Sequence, residues 1–132
     1  MGMNNYTTYG YKKIRAPESL FKLIRDFWDT NRDEAVEEWD EATSFHNLWE
    51  VSTTMVRLDN SSLIGGGMNL SAAIWNAGRE ILEDWTGETL AGSSVYGVRV
   101  YYNRSILTPH VDRMPLGKIP SCFCHCSQRV TR

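Results

Sequence analysis

The chain is 132 residues long, 42% hydrophobic and 23% charged, and it contains five Trp and six Tyr. This length suits one domain, and so many aromatic residues exclude a generally disordered chain. The net charge of −2 provides no general attraction for nucleic acid. The charge is unevenly distributed, because residues 1–112 carry all 16 acids against ten Lys or Arg, whereas residues 113–132 carry four Lys or Arg and no acid.

The three cysteines, Cys122, Cys124 and Cys126, all lie in this basic tail. An odd number of cysteines within five residues does not make a disulfide framework, so the body of the chain needs no oxidising compartment. No apolar run reaches the ~18 residues of a membrane-spanning helix, and residues 1–13 lack the apolar region of a signal peptide. The sequence therefore predicts a soluble intracellular protein that binds neither membranes nor nucleic acid.

The first half of the chain predicts one clear helix and one strand after an irregular N-terminus at 1–15. Pro17 opens a helix whose apolar residues recur at intervals of three and four, namely Leu20, Phe21, Leu23, Ile24, Phe27 and Trp28. The acidic segment Asp33–Trp39 predicts a further helical turn or two with a solvated outer face. Residues 48–58 are rich in β-branched and aromatic side chains and predict a strand.

A glycine-rich loop is predicted after this strand, at residues 59–69. Its three consecutive glycines, Gly65 to Gly67, raise the alternative of a phosphate-binding loop. However, the segment lacks the glycine spacing and the following Lys-Ser/Thr pair of a P-loop. A flexible connector is therefore the favoured interpretation.

The strongest helical pattern spans residues 69–87, with Asn69 or Ser71 as the expected cap and Gly87 as a left-handed stop. One side of this helix is apolar and is formed by Ile74, Trp75, Gly78, Ile81, Leu82 and Trp85. Residues 93–103 then predict a strand, in which Val98, Val100 and Tyr102 share one face and Arg99 and Tyr101 share the other.

A pair of metal-binding residue types follows this strand, at His110 and Asp112. In an extended segment, residues two apart point to the same face, so the imidazole and the carboxylate would lie side by side. They would supply two of the three ligands of a 2-His-1-carboxylate iron site, which leaves open positions for a cosubstrate and O₂. A hydrogen-bonded surface pair is the alternative, and the spacing alone does not decide between the two.

The wider segment "YGVRVYYNRSILTPHVDRMPL", residues 96–116, resembles the prolyl 4-hydroxylase-like 2-oxoglutarate/Fe(II)-dependent dioxygenases. The dipeptide Phe27-Trp28 and the segments 45–56 and 83–101 are similar to a protist or algal branch of that family. The resemblance covers residues 15–116. It implies an α+β fold in which N-terminal helices precede the first strands of a double-stranded β-helix, or jelly roll, that is incomplete at its C-terminus.

The resemblance also implies a site. His110 and Asp112 correspond to the iron ligands, and Tyr101, nine residues before His110, corresponds to a hydrogen-bond partner of the 2-oxoglutarate carboxylate. Arg99 and Arg113 are expected near the site, with no assigned role. The implied cofactors are Fe(II) and 2-oxoglutarate, and the implied reaction is hydroxylation of a C–H bond, with a prolyl residue of a protein or peptide as the candidate acceptor. The alternative for Tyr101 is an aromatic residue of the core or its rim.

Two parts of the family pattern have no counterpart here, because only 20 residues follow Asp112. These parts are the second iron-binding His and the Lys or Arg that binds 2-oxoglutarate, and neither His46 nor His125 lies where the family places its second ligand. We therefore expect a dioxygenase domain at 16–116 that is truncated and inactive as it stands, followed by an atypical basic, Cys-rich tail at 117–132.

Two alternatives are retained. The first is a small non-catalytic α+β interaction protein in which His110 and Asp112 only form hydrogen bonds. The second is a zinc module built from the tail residues Cys122, Cys124, His125 and Cys126. The zinc module is disfavoured because structural zinc sites use Cys pairs separated by two to four residues, in two halves held apart by a folded loop.

Overall fold

The computed structural model describes residue 8 and residues 11–38, 51–92 and 94–105. These segments form an α+β arrangement of two helices and a small antiparallel sheet. In chain order the elements are α1 (Glu18–Asn31), a 3-10 turn (Arg32–Glu34), β1 (Val36–Glu37), β2 (Thr54–Arg57), α2 (Met68–Thr86) and β3 (Gly97–Val100). Within these segments, neither helix is both long enough and apolar enough to cross a membrane.

Helix α1 begins directly after Pro17, as the sequence predicts. The fixed φ of proline suits a helix start, and its carbonyl oxygen accepts the backbone N–H of Phe21 at 2.9 Å. The buried side chains of the helix are Leu20, Phe27 and Asn31. The solvent side carries two exposed ion pairs at the i, i+4 spacing, Lys22 with Asp26 and Arg25 with Asp29, each at 2.8 Å. Such exposed pairs stabilise a helix by only about 0.3–0.5 kcal/mol each, so burial of the apolar side holds α1 in place.

Helix α2 is one residue displaced from its predicted start, and its predicted cap is wrong. Gly67, at φ 112° and ψ −174°, precedes the first helical residue, and no side chain caps the helix. Asn69 and Ser71 both lie inside the helix. The predicted stop is confirmed, because Gly87 adopts the left-handed conformation at φ 70° and donates its N–H to the carbonyl oxygen of Glu83 at 2.8 Å.

Ser71 faces the core instead of the helix end. It is 8% exposed, and among the residues that the structure describes its hydroxyl has no hydrogen-bond partner. A buried hydroxyl without a partner opposes folding, and Ala is the better helix former. We expect Ser71→Ala to raise the free energy of unfolding by about 1 kcal/mol, measured by urea denaturation.

Asn76, on the exposed side of the same helix, provides the control. Asn76→Ala changes helix propensity without removing a buried polar group, so it should gain less than Ser71→Ala. An equal gain in the two variants would mean that the Ser71 hydroxyl has a partner after all.

The sheet has the order β1-β2-β3, with both neighbouring pairs antiparallel. Val56 and Val98 lie opposite each other in the β2–β3 register, and both are buried. The buried core joins this side of the sheet to the helices and consists of Leu20, Phe27, Val56, Leu58 and Ile74. Both helices therefore pack against one face of the sheet.

Two predicted segments differ from the structure. The helical turn expected at Asp33–Trp39 is only a 3-10 turn at Arg32–Glu34, and the chain then enters β1, which pairs with β2. The glycine-rich loop is a hydrogen-bonded structure and not a flexible connector, since Gly66 donates its N–H to Leu63 at 3.0 Å and Gly67 to Leu58 at 2.8 Å. Because these N–H groups are already paired, they do not form a phosphate cradle.

Candidate functional site

The face of the sheet opposite the helices carries a row of side chains set by the strand register. Val36 of β1 lies opposite Met55 of β2, and Met55 lies opposite Arg99 of β3. Side chains alternate between faces along a strand, so this row lies on the other side from Val56 and Val98. We call it the open face, because no helix among the described segments packs against it.

A polar cluster lies at one end of the open face, and we call it the sheet-face cluster. It comprises Glu38, Thr53, Arg99 and Tyr101. Arg99 donates from Nε to Oε2 of Glu38 at 2.5 Å and from Nη2 to Oε1 at 2.8 Å, which is a two-pronged charge-assisted pair. Thr53 donates its hydroxyl to Oε2 of Glu38 at 2.7 Å, and its carbonyl oxygen accepts the Glu38 N–H at 2.9 Å. All three strands or their immediate extensions are thus connected.

The ion pair is largely shielded from water, with Arg99 26% and Glu38 24% exposed at their side chains. Its hydrogen bonds to the Glu38 carboxylate are the main reason that the pKa of Arg99 lies above its usual value, and burial works in the opposite direction. A hydrogen bond to Tyr101 raises the pKa of Arg99 further. Arg99 is therefore charged, and its charge is balanced by the Glu38 carboxylate.

Tyr101 directly follows β3 and lies two residues after Arg99. Its contact with the Arg99 guanidinium places the two side chains on the same side of the sheet, as the alternation of an extended chain requires. The residue that the sequence singled out for a carboxylate thus lies half-buried on the open face, beside a satisfied ion pair.

A tight turn follows Tyr101 at residues 102–105. Ser105 donates its N–H to the carbonyl oxygen of Tyr102 at 3.0 Å, and its hydroxyl oxygen accepts the Tyr102 N–H at 3.0 Å. The same hydroxyl donates to the carbonyl oxygen of Val51 at 2.9 Å, which ties the turn to the segment before β2. The side chain of Tyr102 is fixed as well, because its hydroxyl forms a hydrogen bond with the hydroxyl of Thr54, at 3.0 Å between the oxygens. The turn ends five residues before His110.

The turn stores backbone strain at Arg104, whose φ is 75°. A side chain in this left-handed region costs roughly 1–2 kcal/mol, whereas glycine adopts it freely. Because glycine also gains freedom in the unfolded chain, we expect Arg104→Gly to raise the free energy of unfolding by only about 0.5–1 kcal/mol, measured by urea denaturation.

Asn103→Gly is the control for that substitution. Asn103 occupies the same turn without a positive φ, so glycine there gains nothing and should lower the stability slightly. A loss of stability with Arg104→Gly would indicate that contacts of the arginine side chain outweigh the strain.

A second ion pair lies at the other end of β2. Arg57 donates to Asp59 from Nε at 3.0 Å and from Nη2 at 2.7 Å. These hydrogen bonds hold the pKa of the Asp59 carboxyl below its usual value. Arg57 therefore also carries a partnered charge, and neither arginine of the sheet adds net positive charge to the open face.

The predicted metal ligands, His110 and Asp112, lie outside the described residues, as does Arg113. The tail residues of the zinc alternative, Cys122 to Cys126, lie outside them too. Within 11–38, 51–92 and 94–105, no group of three or more His, Cys, Asp or Glu side chains is arranged to hold a metal ion. Of the predicted site, the described part of the chain therefore contains Tyr101 and Arg99, and it contains no set of metal ligands.

Sequence reasoning missed Glu38 and Thr53. Glu38 belongs to an acidic run that resembles a solvated surface, and Thr53 is an ordinary β-branched residue of a strand segment. Only the pairing of β1 with β2 brings the two together, and β1 is two residues long. One signal existed for their partner, because Arg99 interrupts an otherwise apolar strand on the side that also carries Tyr101.

The family resemblance has no independent support from known proteins. No protein-family model matches the chain, and neither the curated proteins nor the solved structures contain a match.

Proposed function

We propose that this chain contains the N-terminal part of a prolyl 4-hydroxylase-like Fe(II)/2-oxoglutarate dioxygenase domain. The observation that carries the proposal is the position of Tyr101. It lies on the face of the sheet that the helices leave open, and the anchored turn at Tyr102–Ser105 is followed in the sequence, three residues later, by Pro109-His110-Val111-Asp112. The tyrosine proposed to bind the carboxylate and the pair proposed to bind the metal are therefore close together in the sequence.

In this proposal the three strands are the first strands of a double-stranded β-helix. Helices cover the outer face of such a sheet, and the inner face lines the site. The arrangement of α1, α2 and β1 to β3 is consistent with that layering, because both helices lie on one side and the polar cluster lies on the other. Further strands would be needed to close the inner face.

In this proposal, two residues of the chain bind the metal and a third binds the cosubstrate. An Fe(II)/2-oxoglutarate centre would supply the oxidation of a C–H bond, and the protein would hold the metal, the cosubstrate and the substrate in place and exclude water. His110 and Asp112 would contribute one nitrogen and one oxygen ligand. Tyr101, half-buried beside Arg99, would hydrogen-bond the 2-oxoglutarate carboxylate, as the resemblance implies. A prolyl residue of a protein or peptide remains the proposed acceptor of the hydroxyl group.

Fe(II) binding by the full chain tests the proposal without requiring turnover. We expect His110→Ala and Asp112→Ala each to weaken anaerobic Fe(II) binding, measured by equilibrium dialysis. The loss should exceed the roughly 10- to 100-fold that removal of a mere outer-shell partner costs, because each change deletes a ligand.

Three further variants serve as controls for this measurement. His46→Ala and His125→Ala should leave the affinity for Fe(II) unchanged, and Cys122→Ser tests whether the tail binds the metal instead. Binding that survives both His110→Ala and Asp112→Ala would contradict the proposal.

A further inference from the structure

The charged residues around α1 follow an antisymmetric order. The stretch from Tyr11 to Glu37 contains six cations and six anions. When this stretch is read inward from its two ends, each charged residue is matched by one of opposite sign. The six pairs are Lys12 with Glu37, Lys13 with Glu34, Arg15 with Asp33, Glu18 with Arg32, Lys22 with Asp29, and Arg25 with Asp26. The midpoints of all six pairs fall between residues 23 and 26, which is the middle of α1.

The outermost charges of this stretch have no partner in the described part of the chain. We call Lys12, Lys13 and Arg15, before α1, the basic patch, and Asp33, Glu34 and Glu37, after it, the acidic patch. All six side chains are exposed, and none of them forms an ion pair or a side-chain hydrogen bond with another residue that the structure describes. In contrast, the two cations in the middle of α1 are paired within the helix. The charge available to another molecule therefore lies at the two ends of α1.

The two patches do not neutralise each other within one chain, because α1 lies between them. A helix of 14 residues is about 21 Å long, which is about twice the distance over which charges act in 0.1 M salt. The order of the patches is also opposite to what a single helix prefers, since the helix dipole favours anions at the N-terminus and cations at the C-terminus. Each patch would therefore be stabilised by the opposite end of a second α1.

We propose that α1 and the two patches form an interface with a second copy of this chain, in which the two α1 helices lie side by side and antiparallel. The antisymmetric order then brings each charged residue to the level of its opposite in the second copy, so the basic patch of each copy meets the acidic patch of the other. The contact occurs twice about a two-fold axis, and the arrangement closes at two chains. This interface is independent of the proposed dioxygenase function.

Apolar side chains supply contact area between the charged ends. Phe21 is the fourth residue of α1 and is 45% exposed, and Trp28 is the fourth residue from its end and is partly buried. They are seven residues apart, which is about two helical turns, so they lie on the same side of α1. In an antiparallel pair, Phe21 of each copy comes to the level of Trp28 of the other. The charges thus set the orientation of the pair, and burial of these side chains adds affinity.

Sedimentation equilibrium of the full chain tests this interface, under reducing conditions so that the tail cysteines do not cross-link. Exposed ion pairs contribute little each, so we expect a weak dimer of twice the 15.1 kDa chain mass, with a Kd of roughly 10 µM to 1 mM in about 0.1 M salt. The Kd should rise at least about 10-fold in about 1 M salt, where charges act over only about 3 Å. A native chain that remains monomeric up to about 1 mM in low salt would overturn the proposal.

Charge reversal on the two patches identifies the contact. The basic-patch variant combines Lys12→Glu with Lys13→Glu, and the acidic-patch variant combines Glu34→Lys with Glu37→Lys. We expect each variant alone to raise the Kd at least about 10-fold, because like charges then face each other. An equimolar mixture of the two variants should dimerise as the native chain does, since each patch again meets its opposite.

Asp84→Lys combined with Glu88→Lys is the matched control. It reverses two exposed acids outside both patches and changes the net charge as much as the acidic-patch variant does, so the Kd should stay nearly the same. Tryptophan fluorescence verifies that each variant is folded. Equal weakening by the control would mean that net charge governs the association, and it would overturn the interface. Two weakened variants whose mixture does not recover the dimer would overturn it as well, because the patches would then not meet each other.

Discussion

Phe27→Ala is expected to lower the free energy of unfolding by about 3–5 kcal/mol, which is a large part of the stability of a small domain. Phe27 is 4% exposed and belongs to the core formed with Leu20, Val56, Leu58 and Ile74. Its ring also lies against the glycine-rich loop, since a Cβ at Gly66 would be 3.3 Å from its Cε2 atom. Truncation therefore leaves a cavity where α1, β2 and the loop meet.

Phe21 of the same helix supplies the matched control. It is 45% exposed, so Phe21→Ala removes the same atoms without emptying a closed space. We expect a loss below about 1 kcal/mol for Phe21→Ala, with both variants compared by urea denaturation followed by tryptophan fluorescence. Similar losses at the two positions would mean that Phe27 is not in the closed core, and the packing of α1 on the sheet would be wrong.

The helices could be predicted from the sequence because their determinants are local. A proline start, apolar residues at intervals of three and four, and a glycine stop identify α1 and the end of α2 without any knowledge of the rest of the chain. The predicted cap of α2 failed for a local reason as well. Gly67 donates its N–H to Leu58 and takes a backbone conformation with positive φ, so the chain enters the helix without a side-chain cap.

The sheet could be predicted only in part, because strand pairing depends on distant partners. The β-branched content of 48–58 and the alternation around Val98 identified β2 and β3. Strand β1 has two residues and sits in an acidic run, so nothing local distinguishes it from a helical turn. Its pairing with β2 is a tertiary contact. Tertiary contacts of this kind override local preference.

The candidate site, too, could be predicted only where its residues are determined by local sequence. Tyr101 was found through a pattern of residues near His110, and its placement on the side of Arg99 follows from alternation alone. Glu38 could not be found in this way, because it is 61 residues from the arginine that it binds. A polar cluster that joins three strands depends on the register in which the strands pair. This register is difficult to predict from a single sequence.

The glycine-rich loop shows how a segment with flexible composition can be held by one side chain. Asn31, at the end of α1, is 3% exposed and donates its amide to the carbonyl oxygens of Phe27 at 3.0 Å and Ile64 at 2.9 Å. Its own oxygen accepts the N–H of Ile64 at 3.0 Å. Asn31 of α1 thus forms hydrogen bonds with both backbone groups of Ile64 in the loop.

We expect Asn31→Leu to lower the free energy of unfolding by about 1–3 kcal/mol, because it removes the two partly buried hydrogen bonds that Asn31 forms with the backbone of Ile64. Leucine is of similar size, so the loss reports hydrogen bonding more than packing. Urea denaturation gives the loss, and amide hydrogen exchange should show faster exchange at Ile64 in the variant.

Thr30→Ala is the control, because Thr30 also donates to a carbonyl oxygen four residues back, that of Asp26 at 2.8 Å, but on the exposed side of the same helix. Water replaces that hydrogen bond, so we expect a change within about 0.5 kcal/mol. A small loss with Asn31→Leu, together with unchanged exchange at Ile64, would mean that the loop keeps its shape through Gly66 alone. At that residue a Cβ would collide with the carbonyl oxygen of Asn60, and Gly66→Ala would then become the substitution that disrupts the loop.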